Sequence, residues 1–104
     1  MINDKTFFVE DDTFYGIKLI DKTFNDCFFK GVNFYNAQLL MCQFNNCTFE
    51  SCNFFDAMFR QSNFVTSTFK SCIGWHSANL EFAKFNQSFK DELITLVFKK
   101  VIFD

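Results

Sequence analysis

The chain has no proline and only three glycines in 104 residues. Small all-β folds ordinarily turn on those two residue types, so a strand-rich architecture here has to turn by other means. Neither sign of charge dominates: ten Lys and Arg stand against twelve Asp and Glu, a net charge of −2. That balance predicts neither a direct nucleic-acid binder nor a strongly acidic mimic. Long hydrophobic runs are missing too. The first ten residues, MINDKTFFVE, carry acids and no extended apolar region, so they do not read as a signal peptide. Near the C-terminus the apolar tracts are interrupted by Thr95, Lys99 and Lys100, far short of a membrane span. The expectation is a cytoplasmic, soluble protein with no membrane partner. C-x-x-C pairs are also absent. The five cysteines, Cys27, Cys42, Cys47, Cys52 and Cys72, are separated by multiples of five. That spacing fits neither a zinc cluster nor a redox motif, and an odd count fits a disulfide framework poorly. Small buried apolar residues are the expected role for all five.

What the chain does contain is phenylalanine, nineteen in all, within a composition that is 49% apolar and 21% charged. This is enough core for one compact domain and too apolar for disorder. The phenylalanines are phase-locked. Residues 14, 19, 24, 29, 34, 39, 44, 49, 54, 59, 64 and 69 are all Phe or Leu, twelve consecutive slots at period five. Two before each centre, after the first three units, stand only Cys, Val, Ala and Ser. Directly before it Asn, Thr and Gln dominate, and two after it Gly, Asp, Asn or Ser occupies nine of the twelve units. A large and a small residue two apart face the same side of an extended chain, with the polar residue between them facing away. The residue two beyond the centre is then the bend. Period five matches neither a helix nor a plain strand; it matches a solenoid whose units bury their centres by stacking on neighbours.

The pattern A/C/S-N/T-F/L-x-x resembles the pentapeptide-repeat family over residues 12 to 87, and the unit ANLEF at 78 to 82 lies close to that family's consensus. The resemblance implies an all-β fold, a right-handed quadrilateral β-helix of about four coils. Each coil would take four pentapeptides, with the centre and the small residue facing inward. Residues 1 to 87 are then expected to form the solenoid with its N-terminal cap segment. There Phe7, Phe8 and Val9 start or cover the first coil, with Val9 in phase with the later centres. After Ser71 the phase slips by one. Trp75, Leu80 and Phe85 become the centres, preceded at the small slot by Ile73, Ala78 and Ala83, and Gly74 is the natural bulge. Trp75 reads as a large core residue at an irregular corner rather than a ligand site.

Residues 88 to 104 leave the repeat. Ser88 can cap a helix with Asp91 and Glu92 in its first turn. Phe89, Leu93, Val97 and Val101 then form an apolar stripe beside Ile94 and Phe98, which predicts a C-terminal capping helix. Val101-Ile102-Phe103 is equally compatible with a short strand. This tail resembles those of quinolone-resistance pentapeptide proteins, which close the last coil and pair two subunits. Leu93, Ile94, Val97, Phe98 and Val101 are accordingly the expected cap or dimer residues, and either a monomer or a homodimer through the C-terminus fits.

With twenty residues to a coil, outward residues twenty apart stack roughly 4.8 Å from one another. One column is Tyr15, Tyr35, Phe55 and His76; the next is Ile20, Leu40, Arg60 and Glu81. The third is Asn25, Asn45, Val65 and Asn86, and the fourth Lys30, Glu50 and Lys70. Tyr15, Tyr35, Phe55, Ile20 and Leu40, with Met41 and Met58 nearby, are the candidate partner surface, because outward apolar columns mark docking or self-association. The competing explanation is that stacked aromatics merely stabilise the sheet. Catalysis finds no support: His76 is the one histidine, no Cys or Ser is placed beside it, and the acids are scattered by the repeat. No cofactor, metal or phosphate-binding motif is expected. Two functions remain. The first is a non-catalytic scaffold that binds a protein or itself. The second is implied by the resemblance: a DNA mimic that binds DNA gyrase or a related topoisomerase. Residues 12 to 87 hold six acids and six bases, a neutral surface that departs from what mimicry needs.

Overall fold

A computed structural model describes residues 3–89 and 101–103. Short parallel strands follow one another around four walls. The first wall carries residues around 14, 34 and 54, joined by bridges such as Asn33 to Asn53 rather than by long strands. The second holds β3 (Lys18–Ile20) and β6 (Gln38–Leu40). The third is a six-stranded sheet in the order β1 (Asn3–Asp4), β4 (Thr23–Asn25), β7 (Gln43–Asn45), β9 (Asn63–Phe64), β11 (Lys84–Phe85) and β12 (Ile102–Phe103). The fourth stacks β2 (Phe7–Val9), β5 (Phe28–Lys30), β8 (Thr48–Glu50) and β10 (Thr68–Lys70). Every pairing is parallel, and in the uninterrupted stretch it joins residues twenty apart, as in Phe24 to Phe44 and Phe29 to Phe49. This is a β-solenoid of about four coils.

The corners explain the missing proline and glycine. Among the described residues twelve non-glycine residues have positive φ, from Asp21, Asp26 and Asn36 to Met41, Asp56 and Phe82, and all but Lys5 lie two beyond an inward Phe or Leu. Gly16 and Gly31 do the same. This left-handed conformation costs a non-glycine residue roughly 1–2 kcal/mol, least for Asn and Asp. The cost is offset because the same residue's N–H is aimed at the next coil. Asp21 donates to the Leu40 carbonyl at 2.9 Å, Asp26 to Asn45 at 2.8 Å and Met41 to Arg60 at 3.0 Å. Asn residues before the centre brace several of these turns. The amides of Tyr35, Phe55 and Glu81 donate to the side-chain oxygens of Asn33, Asn53 and Asn79 at 3.0 Å in each case.

The core is the phenylalanine ladder. Phe24, Phe44, Phe64 and Phe85 stack down the third wall with ring centroids 5.0, 4.7 and 5.2 Å apart, and Phe29, Phe49 and Phe69 down the fourth at 4.7 and 4.8 Å. Neighbouring walls meet edge to face, as Phe44 does with Phe49 at 5.5 Å and 65°. Aromatic pairs of both kinds stabilise beyond the area they bury.

Two expectations of phase are corrected. Val9 does not keep the repeat: it is 57% exposed, and Phe8 takes the inward slot, stacked on Phe29 at 4.9 Å. The β2–β5 pairing joins residues twenty-one apart, so one extra residue lies between Val9 and Phe14. A turn there is tied by the Thr13 N–H donating to the Asp11 carboxylate at 2.7 Å. Ile73 is likewise not in the small inward slot. It is 63% exposed and bridges Asn53, still twenty residues away, whereas Asn79 bridges Met58 at twenty-one. The inserted residue therefore follows Ile73, and Gly74 accommodates it. Gly74 is buried with φ 91°, and a Cβ there would lie 2.7 Å from the Phe54 carbonyl carbon. The backbone passes so close that Trp75 swings in to stack on Phe54 at 4.7 Å.

Residues 90–100, including Leu93, Ile94, Val97 and Phe98 and most of the expected capping helix, lie outside the described residues. Before them Gln87–Phe89 forms a single 3-10 turn that buries Phe89 against Phe69 and Trp75. After them the strand alternative holds. Ile102 and Phe103 pair with Lys84 and Phe85, while Val101 and Phe103 pack on the core.

Phe44 is 1% exposed and sandwiched between two parallel rings. Phe44→Ala is expected to cost about 3–5 kcal/mol, read as a large drop in melting temperature. An unchanged transition would refute the inward ladder.

Candidate functional site

With the centres and small residues turned inward, the outward columns make up the surface of the walls. On the first wall the rings of Tyr15 and Tyr35 stack at 5.5 Å and those of Tyr35 and Phe55 at 5.9 Å, the latter within 3° of parallel. His76 closes the row edge-on to Phe55 at 5.7 Å. Tyr15 is 56% exposed and Phe55 39%, while Tyr35 between them is half-buried by its neighbours. The four side chains thus form one ribbon, brought together by the twenty-residue register and the insertion at Gly74.

The second column divides. Ile20 and Leu40 are paired on β3 and β6, with Ile20 exposed and Leu40 half-buried. Farther along, Arg60 and Glu81 form an ion pair at 3.0 Å. Met41 occupies the next corner with φ 54° and is exposed; Met58 is half-buried, bridged to Gln38 and Asn79. Lys18, Gln38 and Met58 run between the aromatic ribbon and the Ile20–Leu40 pair. The third and fourth columns are polar apart from Val65. The Asn45 side-chain amide donates to that of Asn25 at 2.8 Å, and Lys30 meets Glu50 at 3.8 Å. Of the residues expected to form a C-terminal cap or dimer, Val101 alone falls within the described residues. It is half-buried against the core.

The cysteines occupy the small inward slots without forming disulfides. Cys27, Cys42, Cys47 and Cys52 are buried; Cys72, at the end of its column, is half-buried, which corrects the expectation of five buried thiols. Their role is also more than apolar filling. The thiols of Cys42, Cys47, Cys52 and Cys72 donate to the carbonyls of Leu19, Phe24, Phe29 and Phe49, at 3.7, 3.5, 3.3 and 3.4 Å. Two serines in the same slot do this more strongly. The Ser62 and Ser67 hydroxyls donate to Leu39 and Phe44 at 2.7 Å, and accept from the amides of Cys42 and Cys47 at 3.0 and 3.1 Å. The small-residue pattern C/A/S concealed this, because alanine in the same slot makes no such bond. Burial pushes the Cys47 thiol up to about 12 and raises that of Cys42. Contact with the Cys72 thiol, and burial second, raises Cys52. A thiol that resists ionisation is a poor nucleophile.

Among the described residues no group of three or more His, Cys, Asp or Glu converges as a metal site, and no helix is long and apolar enough to cross a membrane. A shallow cavity of about 210 Å³ lies at the C-terminal end, lined by residues including Thr66, Thr68, Phe69, Asn86 and Phe89. It contains none of the outward aromatic ribbon.

A thiol reagent added to native protein is expected to label Cys72 and to reach Cys27, Cys42, Cys47 and Cys52 only after denaturation. Rapid native labelling of Cys47 would contradict the inward assignment.

No curated protein matches the chain. The family described as pentapeptide repeats is matched over residues 14–50, in eight copies. That stretch lies within the uninterrupted register, and the same geometry continues to Phe85 across the insertion at Gly74. Residues 14–50 are thus similar to pentapeptide repeats, and the parallel β-solenoid they build is the fold found through the rest of the described coils.

Proposed function

We infer that the protein is a non-catalytic scaffold whose outward apolar columns dock another protein. The observation that carries this reading is the ribbon Tyr15–Tyr35–Phe55. Its members stand at outward positions where the third and fourth columns hold Asn, Lys and Glu with a single Val65, and Tyr15 and Phe55 remain exposed. Exposed aromatics in a row are the residue class that anchors protein interfaces. Their mutual stacking fixes their rotamers in advance, which lowers the ordering entropy that association has to overcome. Ile20, Leu40 and Met41 extend the apolar surface onto the next wall, with Met41 supplying an adaptable contact. Catalysis has no counterpart support: burial raises the Cys42 and Cys47 thiols, and His76 is engaged edge-on with Phe55.

Mimicry of DNA toward a topoisomerase is the less favoured reading. It calls for rows of unpaired acids along the rod, whereas Glu50 and Glu81 are paired with Lys30 and Arg60.

The test is affinity capture from native extract, comparing the wild-type chain with Tyr35→Ser plus Leu40→Ser at matched melting temperature. A protein retained by the wild type and lost by the double variant supports the docking columns. Retention of a topoisomerase at low salt only, unaffected by the double variant, would support mimicry instead.

A further inference from the structure

Two of the small inward slots place thiols next to each other. Cys52 and Cys72 hold the same slot on successive coils, and the register around them is fixed on both sides. The Ser51 N–H donates to the Lys70 carbonyl at 2.8 Å, and the Ile73 N–H to the Cys52 carbonyl at 2.9 Å. The sulfurs take equivalent positions within their coils. Cys52 Sγ lies 3.3 Å from the Phe29 carbonyl oxygen and Cys72 Sγ 3.4 Å from that of Phe49, each twenty-three residues back. Equivalent atoms on adjacent parallel strands stand about 4.8 Å apart. The two thiols are therefore neighbours, and contact with Cys72, with burial second, raises Cys52.

That spacing is too wide for a disulfide and suits a metal ion. A disulfide needs its sulfurs about 2 Å apart and its Cβ atoms about 3.5–4.5 Å apart. The backbone bonds that bracket the pair hold the coils at full strand spacing instead, and both thiols are free. A cation held in line between two thiolates needs sulfurs separated by two metal–sulfur bonds, about 4.6 Å for bonds of about 2.3 Å. Thiolates select soft ions such as Cu(I), a closed-shell monovalent ion that is satisfied by two ligands in line.

We propose that Cys52 and Cys72 form a two-coordinate site for a soft monovalent cation, Cu(I), which ties one coil of the rod to the next. Two S–H bonds break, two metal–sulfur bonds form and two protons leave to solvent; no electron is transferred. A bound cation drives the proton off a coordinating thiol. Placed between the pair, it also removes the like-charge repulsion that opposes ionisation of both. The occupied site carries one net negative charge. Cys72 is half-buried rather than buried, so water reaches the charge there and the ion has a way in. The other buried cysteines lack one of these features. Cys42 is stacked between Lys22 and Ser62 with no second thiol, and Cys27 and Cys47 are stacked but both shut in. The site lies inside the rod and is separate from the outward columns.

The test is uptake of Cu(I) by the full chain without oxygen, against an excess of glutathione, a monothiol that strips copper from a lone cysteine. Copper per chain is measured after gel filtration, and the thermal transition alongside it. The wild type should keep one ion per chain and melt at a higher temperature with it, since a ligand held by the folded state alone stabilises that state. Because the ion displaces protons, retention should fall as the pH is lowered. Cys52→Ser and Cys72→Ser should each lose the ion. Ser62 and Ser67 show that serine fits this slot and bonds the previous coil, so both variants should stay folded; should one unfold, the other carries the same expectation. Cys47→Ser should retain the ion like the wild type. A wild type that keeps no copper, retention by a folded Cys52→Ser or Cys72→Ser chain, or loss in Cys47→Ser would each overturn the proposal.

Discussion

The stacking of each coil on the coil twenty residues away is the interaction on which everything else in this molecule depends. It supplies the ladder hydrogen bonds, since among the described residues no strand is paired within its own coil. It supplies the core, since Phe24, Phe44 and Phe64 touch only because they share a phase. It also sets the outer surface, where the same register that buries the centres brings Tyr15, Tyr35 and Phe55 into one ribbon. Stability is therefore collective: no unit buries its phenylalanine alone, and each contributes by completing the coils on either side.

That dependence explains an otherwise costly choice. A chain with three glycines places twelve other residues, among those described, in the left-handed region. Most corners direct their N–H to an acceptor in the next coil, a carbonyl for Asp21, Asp26 and Met41 and a hydroxyl of Thr66 or Ser77 for Asn46 or Asp56, so turn and stack support one another. The buried slots show the same economy of parts. Cysteine and serine both fit beside the aromatic centres, and both use a short polar hydrogen to tie one coil to the previous one. Gly74 is the exception that proves necessary. An added residue had to be absorbed against the Phe54–Phe55 backbone, and only a residue without Cβ fits there.

The sequence made the interior readable because period five is a physical constraint repeated twelve times. Phe14 through Phe69 could be assigned inward from spacing alone, and the small slots with them. Legibility failed where the repeat count changed. Val9 matched the phase numerically, yet an extra residue before Phe14 moved Phe8 into its place. Ile73 was assigned to the slot that Cys72 retains, because the position of an insertion relative to Gly74 depends on backbone clearance that residue types do not encode. The outward columns were predictable in membership, given twenty residues to a coil. Which of them carry recognition was not, since ring stacking and partner docking call for the same aromatic residues.

Interior and exterior thus divide the work in this rod. The phase-locked residues hold it together, and those one step out of phase form its outer surface. Proton nuclear Overhauser contacts between aromatic rings measure that register directly. The account predicts contacts from Phe44 to both Phe24 and Phe64, from Tyr35 to Tyr15 and Phe55, and a change of interval at Phe64 to Phe85, twenty-one residues on. Absence of the twenty-residue contacts, or a set that continues past Gly74 without the added residue, would contradict it.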